Sequence, residues 1–327
     1  TEDGKEEICI SSVEMLSNEI EKSIAAGFMT ENPYKNHKDY NSFDLHRPYI
    51  DNVILVSSNG EKMFRESDLI DVWFDSGAMP YAQVHYPFEC NDEQLKACFP
   101  ADFIAEGVDQ TRGWFFTLHA IAALCFDTIA FKNVVSNGLV LDKVGNKMSK
   151  RLGNAVDPFE VLQTYGPDAT RWYMITNTQP WENLKFDQAG IDEVRRKFFG
   201  TLYNTYSFFA LYANIDGFAY KEADIEYSKR PEIDRWILSE LNTLIEYCDK
   251  SYSEYEPTRA GRAIADFVDG YLSNWYVRLC RRRFWKGEYT DDKISAYQTL
   301  YTCLETLARL AAPIAPFFCD RLFNDLN

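Results

Sequence analysis

No stretch of about 18 consecutive apolar residues, the length a helix needs to cross a bilayer, occurs in this chain. That excludes a membrane-spanning helix, and the N-terminal residues do not read as a secretory signal. The eight cysteines (Cys9, Cys90, Cys98, Cys125, Cys248, Cys280, Cys303 and Cys319) contain no Cys-x-x-Cys pair, and the four histidines lack metal-ligand spacing. A structural zinc site is therefore not expected, nor any other resident metal. Reduced thiols in a cytoplasmic setting fit better than disulfides. Positive charge is scarce: 34 Lys and Arg face 50 Asp and Glu, a net charge of −16. That balance argues against non-specific coating of nucleic acid. It leaves open an RNA partner held by a local basic face, because contacts to phosphate are local. Neither an internal repeat nor a low-complexity tract is found.

What is present is enough to build cores. At 327 residues, 46% of them apolar and 15% aromatic, the chain has room for two domains. It opens on Thr1 rather than methionine and stops at Asn327 after a helical run, so it reads as a piece of a larger protein.

Residues 1–47 are polar, with one amphipathic helix marked by Val13, Leu16, Ile20 and Ile24 and ended by Gly27. Tyr49 to Val56 and residues 68–76 read as strands. A buried strand is expected at Phe103 to Ala105, a turn at Gly107, and a helix starting near Asp109. Another strand at 133–141 leads into a Gly- and Asn-punctuated loop. This strand–helix–strand alternation predicts an α/β fold with a parallel, doubly wound sheet, whose ligands bind beyond the C-terminal strand ends. Asp157 and Pro158 suit the N-cap and first position of a helix, and Gly166-Pro167 breaks it. Beyond about residue 190 the pattern is helical throughout: 191–213, 232–252, 258–286, 291–311 and a short helix after Pro316. An all-α bundle is the economical architecture for that half.

Two segments concentrate cations. The loop Lys147-Met148-Ser149-Lys150-Arg151 follows a strand and carries mobile positive charge, which could close over a triphosphate as charge develops on it. A solvated basic turn is the alternative these five residues leave open. Residues 278–286 hold Arg278, Arg281, Arg282, Arg283 and Lys286 with no acid, interleaved with Phe284 and Trp285. Guanidinium groups match phosphate forks and aromatics stack on unpaired bases, although a charged helix face is more often simply solvated. Arg195, Arg196 and Lys197 make a lesser cluster.

The lysine loop resembles the second signature of the class I aminoacyl-tRNA synthetases. Together with Asp71-Val-Trp-Phe-Asp-Ser-Gly-Ala-Met-Pro80 and Phe103-Ile-Ala-Glu-Gly-Val-Asp-Gln-Thr-Arg-Gly-Trp-Phe115, it stands in the order and spacing of the isoleucyl-tRNA synthetases. Asn274-Trp-Tyr-Val-Arg-Leu-Cys-Arg-Arg-Arg-Phe-Trp285 resembles their tRNA-binding helical domain, and the resemblance runs from about residue 43 to 327. Arg151 stands where many relatives carry serine.

The resemblance implies a Rossmann-like nucleotide fold followed by a helix bundle. Residues 1–47 would be the edge of the editing insertion, 48–189 the C-terminal half of the catalytic domain, and 190–327 the anticodon-binding domain. It implies activation of isoleucine by ATP with Mg2+ to isoleucyl-adenylate, then transfer to tRNA(Ile), by a monomeric enzyme. Lys147 and Lys150 would compensate triphosphate charge, with Ser149 also at the ATP. Glu106, Gly107, Asp109 and Gln110 would line the adenylate, and Trp73 and Trp114 would flank the isoleucine side chain. Asp75 and Ser76 are further pocket candidates. Glu106 and Asp109 also suit a strand-end acid and a helix N-cap, and either tryptophan also suits ordinary core. One methylene in an apolar pocket is worth only about 1–3 kcal/mol, as is known from this class of enzyme, which is why the family edits.

A class I site also needs a His-x-Gly-His motif, and none of His37, His46, His85 or His119 lies in one. The chain alone is therefore expected not to form adenylate. The alternatives are a valyl or leucyl enzyme, or a non-catalytic tRNA-binding protein with a degenerate nucleotide fold.

Overall fold

The computed structural model describes residues 1–36, 44–285 and 287–327; His37 and Lys286 fall outside them, and so does the side chain of Lys150. The chain forms two compact units, Thr1–Phe74 and Asp75–Asn327. No described helix is long and apolar enough to cross a membrane.

The first unit is built on α1 (Val13–Ala25). Ser12 caps it by accepting from the Met15 N–H, and Gly27 leaves it with φ +81°. Leu16 and Ile20 pack with Tyr34, Val53, Leu55 and Met63. The last two come from an antiparallel hairpin of β1 (Leu55–Val56) and β2 (Lys62–Met63). The strand expected over 49–56 is thus mostly absent. Tyr49–Asn52 is a 3-10 turn, in keeping with the turn-forming Asp51-Asn52, and only the last two residues pair.

The strand expected over 68–76 is replaced by α2 (Val72–Ala82). A short apolar run does not separate strand from helix by periodicity. What decides is Asp71, whose Oδ1 accepts from the Trp73 N–H at 2.7 Å and starts the helix. Gly77 then lets α2 lie close to α4 (Trp114–Phe126). A Cβ there would sit 2.8 Å from Ile121 Cδ1 and 3.0 Å from the Thr117 carbonyl carbon.

In the second unit, α3 (Asp92–Cys98) opens with a full capping box between Asn91 and Gln94. β3 (Ala101–Gly107) pairs in parallel with β4 (Phe131–Asn137), from Ala101↔Phe131 to Gly107↔Asn137, and α4 makes the crossover. Leu95, Phe99, Leu118 and Ala122 form the core beneath them. β5 (Val140–Leu141) pairs in parallel with β6 (Leu184–Lys185). The α/β fold with parallel pairing is as the alternation predicted.

Asp157 caps α5 (Pro158–Tyr165) through the Phe159 N–H, and Gly166 at φ +86° separates it from α6 (Pro167–Asn177). The helices α7 (Gln188–Val194) and α8 (Gly200–Asp216) are joined by a π-helical turn, Arg195–Phe199. α9 (Glu232–Ser253) follows, then α10 (Pro257–Asp266), which runs through a π-helical stretch, Phe267–Val277, into α11 (Arg278–Trp285). The wide turn suits the sequence: inward-facing Phe267, Val268, Leu272, Tyr276 and Val277 recur every four to five residues. α12 (Asp291–Ala311) and α13 (Pro316–Leu326) close the bundle.

One continuous core links α5, α6 and β6 to the bundle through Trp172, Leu202, Ile237, Ile264, Tyr297 and Leu304. The bond pattern at α6 makes this joint rigid. Thr258 Oγ1 donates to the Ile175 carbonyl at 2.6 Å, and Arg262 donates to the Thr176 and Asn177 carbonyls at 2.8 and 2.9 Å. Together they satisfy the open C-terminal carbonyls of α6. Arg171 reaches the Ile314 carbonyl at 2.9 Å from the same helix. Elements directly after the lysine loop are in this way tied to the bundle.

Candidate functional site

The lysine loop leaves β5 through a tightly set root. Gly138 passes so close to residue 182 that a Cβ would lie 2.3 Å from the Glu182 carbonyl oxygen, and its N–H donates to the Pro180 carbonyl at 2.8 Å. Asp142 then turns the chain. Its Oδ1 accepts from the N–H groups of Val144 and Asn146 at 3.1 and 2.8 Å, and Gly145 takes φ +97°. The chain returns so that Lys147 bridges Leu141 antiparallel. Lys147 is exposed, and among the described residues no carboxylate lies within ion-pairing distance of its ammonium. An unneutralised cation at the end of parallel strands is what a polyanion requires. Ser149 is half-buried, and its hydroxyl accepts from the Leu152 N–H at 3.2 Å.

The segment after β3 is a second strand end. Glu106 is exposed and stands opposite Ser136 in register; Gly107 stands opposite Asn137. The chain then enters a 3-10 turn, Val108–Arg112, rather than starting α4 directly. Asp109 is consequently not the N-cap of the long helix. Its carboxylate folds back over Gly107, where a Cβ would meet Asp109 Oδ1 at 2.6 Å. Gln110 does the capping instead, its Oε1 accepting from the Trp114 N–H at 3.0 Å. These four residues are brought together, with Glu106 and Asp109 exposed and Gly107 and Gln110 half-buried.

Trp114 is fixed by a pairing that sequence reasoning missed. Pro80 has no N–H to give to the carbonyl four residues before it, that of Ser76, and this carbonyl accepts from the Trp114 indole at 2.8 Å. A proline late in an apolar run was the available signal. Trp73 lies in the first turn of α2 with 43% of its surface exposed.

The arginine-rich helix separates into two kinds of residue. Arg278, Arg281, Arg282 and Trp285 recur at helical spacing on the exposed face, and no described carboxylate pairs with the three arginines. One turn earlier, exposed Trp275 and Tyr271 flank Trp236 at 6.4 and 6.1 Å, beside a cleft of about 480 Å³ that includes Glu232 and Ile233. Arg283 departs from the expectation. It turns inward and grips both oxygens of Asp234, at 2.6 and 2.9 Å, while a nitrogen of the same fork reaches Asp292 at 3.0 Å. Asp234 is wholly buried and also accepts from Tyr276 at 2.8 Å and Ser295 at 2.6 Å. Burial opposes the Arg283 charge, but the Asp234 carboxylate more than offsets it and holds the guanidinium firmly charged. A fork occupied in this way has no donors left for phosphate. Arg195 and Arg196 are likewise paired with Asp192, and Lys197 with Glu193, within one helix.

A cation-bearing loop thus follows paired parallel strands, and the helical part that comes after carries an exposed Arg and Trp face. Residues 13–187 match the family described as tRNA synthetases class I (I, L, M and V), and residues 234–327 match the anticodon-binding domain of tRNA ligase. The chain belongs to the class I tRNA synthetases. Among its relatives, the isoleucine–tRNA ligase of Bacteroides fragilis is 69% identical over the whole chain, that of Bacteroides thetaiotaomicron 70%, and that of Porphyromonas gingivalis 68%. The chain spans about three tenths of their length, 29% of the first two and 30% of the third.

Two solved structures share the fold. Methionyl-tRNA synthetase of Mycobacterium tuberculosis bound by methionyl-adenylate gives a TM-score of 0.65 at 17% identity, covering 94% of this chain and 61% of that one. LeuRS of Agrobacterium radiobacter, in a ternary complex with tRNA and LeuAMS, gives 0.62 at 19% identity, covering 85% and 34%.

Proposed function

We propose that this chain is the lysine-loop half of the catalytic domain, together with the anticodon-binding helices, of an isoleucine–tRNA ligase. In this reading residues 1–47 are the edge of the editing insertion, 48–189 the catalytic half and 190–327 the tRNA-binding domain. The observation that carries it is the near-70% identity to isoleucine–tRNA ligases along the entire chain.

The reaction joins the isoleucine carboxylate to the α-phosphate of ATP and breaks the bond to pyrophosphate; a ribose hydroxyl of tRNA(Ile) then takes the acyl group as the acyl–phosphate bond breaks and AMP leaves. Mg2+ belongs to this scheme as the counter-ion that ATP carries. Such transfers need alignment and charge compensation more than covalent help. Lys147, with Lys150 and the Ser149 region of the same loop, supplies that compensation. Glu106 offers a carboxylate to the amino acid's ammonium or a ribose hydroxyl, while Gly107 lets backbone approach the adenylate and Gln110 and Asp109 shape the turn beside it. Trp114, held by the Ser76 carbonyl, supplies an apolar wall for the side chain, and Trp73 is assigned the same part from its sequence motif alone. Arg278, Arg281, Arg282 and Trp285 face the tRNA; Arg283 supports that face from inside. The enzyme works as a cytoplasmic monomer.

ATP–pyrophosphate exchange with isoleucine, valine and leucine tests this reading, on the chain alone and on the full-length protein carrying a His-x-Gly-His motif. Isoleucine-dependent exchange is expected only in the full-length protein. Exchange by the chain alone, or preference for valine or leucine, overturns it.

A further inference from the structure

One pair of side chains in the lysine loop has no part in the aminoacylation scheme. Asn154 stands beyond the loop, just before α5, and reaches back across it. Its Oδ1 accepts from the Ser149 N–H at 2.9 Å, and its Nδ2 donates to Asp142 Oδ2 at 3.0 Å and to the Lys147 carbonyl at 3.3 Å. Asp142, on the other side, holds the N–H groups of Val144 and Asn146 with its remaining oxygen. The two side chains therefore close the ring 142–154 with bonds to four backbone groups of the loop. Val144 is 69% and Leu152 67% exposed, so neither of these side chains anchors the loop by burial.

We propose that Asp142 and Asn154 form a latch that positions the lysine loop, setting where the Lys147 cation stands when a triphosphate arrives. The role rests on the ligase reading for its consequence, but the latch itself is a property of the loop. The atom types make its polarity definite. Asp142 has only acceptors, and Asn154 must keep its carbonyl on the Ser149 N–H, so its amide NH2 faces the carboxylate. Asn154 and the loop N–H groups hold the Asp142 carboxyl below the usual carboxylate range, the direction expected of an ionised acceptor. Positioning of this kind raises rate because a cation held where charge develops stabilises the transition state more than one displaced from it.

Three variants of the full-length protein test the latch: Asp142→Asn, Asn154→Ala, and the exchange of both, Asp142→Asn with Asn154→Asp. The first sets two amide NH2 groups against each other, and the second removes the cross-loop arm. The exchanged pair rebuilds the cross-loop bond with donor and acceptor reversed and keeps an oxygen for Val144 and Asn146 and another for Ser149, but it gives up the donor to the Lys147 carbonyl. Hydrogen exchange of the 144–152 amides should speed by about tenfold in each single variant, the scale of one broken hydrogen bond. The kcat of isoleucine-dependent pyrophosphate exchange should fall by about tenfold at an unchanged KM for isoleucine. The exchanged pair should recover part of both, short of the wild type by the lost Lys147 carbonyl bond, with thermal midpoints equal throughout.

Single variants that match the wild type in amide exchange and in kcat overturn the latch, as does an exchanged pair no better than the singles. If the wild-type protein shows no isoleucine-dependent exchange, the ligase reading fails, and the amide-exchange arm still decides the latch by itself.

Discussion

The lysine loop and the arginine helix hold comparable densities of positive charge, yet the structure treats them differently. In the loop the side chain of Lys147 has no described acid beside it, while the neighbouring acid and amide, Asp142 and Asn154, are spent on backbone N–H and carbonyl groups. In α11 one arginine of four turns inward, half-buried, and is held by a buried carboxylate that sits 49 positions earlier in the chain. The remaining three are open to solvent. In the proposed reading the cation that meets a ligand is unpaired among the described residues and its backbone is held by neighbours, whereas the cation that holds helices together is half-buried and paired.

Several substitutions sharpen that contrast, and the largest effect belongs to the buried pair. Arg283→Met strands the Asp234 carboxylate in the bundle and should cost about 3–5 kcal/mol in urea unfolding. A loss below about 1 kcal/mol would mean that the pair is solvated and the contrast false. Next comes the loop root. Gly138→Ala drives a methyl into the Glu182 carbonyl and should destabilise by about 1–3 kcal/mol, with loop amides exchanging faster.

The exposed arginines should behave oppositely to Arg283. Replacing Arg278, Arg281 and Arg282 with alanine should leave unfolding within about 0.5 kcal/mol per site. The same change should reduce the salt slope of tRNA binding by about one for each phosphate that is no longer neutralised. The smallest effect is in pH. Asp142 has a lowered carboxyl pKa, chiefly through the Asn154 amide, so what it contributes is present above the ordinary carboxylate value and lost only as pH falls through the lowered one. Amide shifts of Val144 and Asn146 should stay constant from about pH 7 to pH 5. A transition in that window would mean that the carboxylate is not held as described.

Local signals carried most of the architecture. The helices from Gln188 onward, the first helix with its Gly27 exit, and the strand–turn–helix around Gly107 all follow from period, caps and breakers. What was not legible depends on partners distant in sequence or on short runs. Residues 68–76 carry strand-forming Val, Trp and Phe, and only the Asp71 bond to the Trp73 N–H turns them into a helix. Nothing in the three consecutive arginines after Cys280 marks the last of them as the one that meets Asp234. The Asp142–Asn154 pair escaped for the same reason, since twelve residues of irregular loop have no period to betray a contact. The strand-end residues themselves were legible by type; their capping arrangement, with Gln110 rather than Asp109 serving α4, was not.

The central claim is that Lys147 is left unpaired in order to meet a triphosphate. The most direct test is the single-turnover rate of isoleucyl-adenylate formation by the full-length protein, wild type against Lys147→Ala. The account predicts a rate lower by roughly 100-fold or more, the scale of removing one charge-stabilising donor, with the unfolding midpoint unchanged. Equal rates in a protein that does form the adenylate would contradict it.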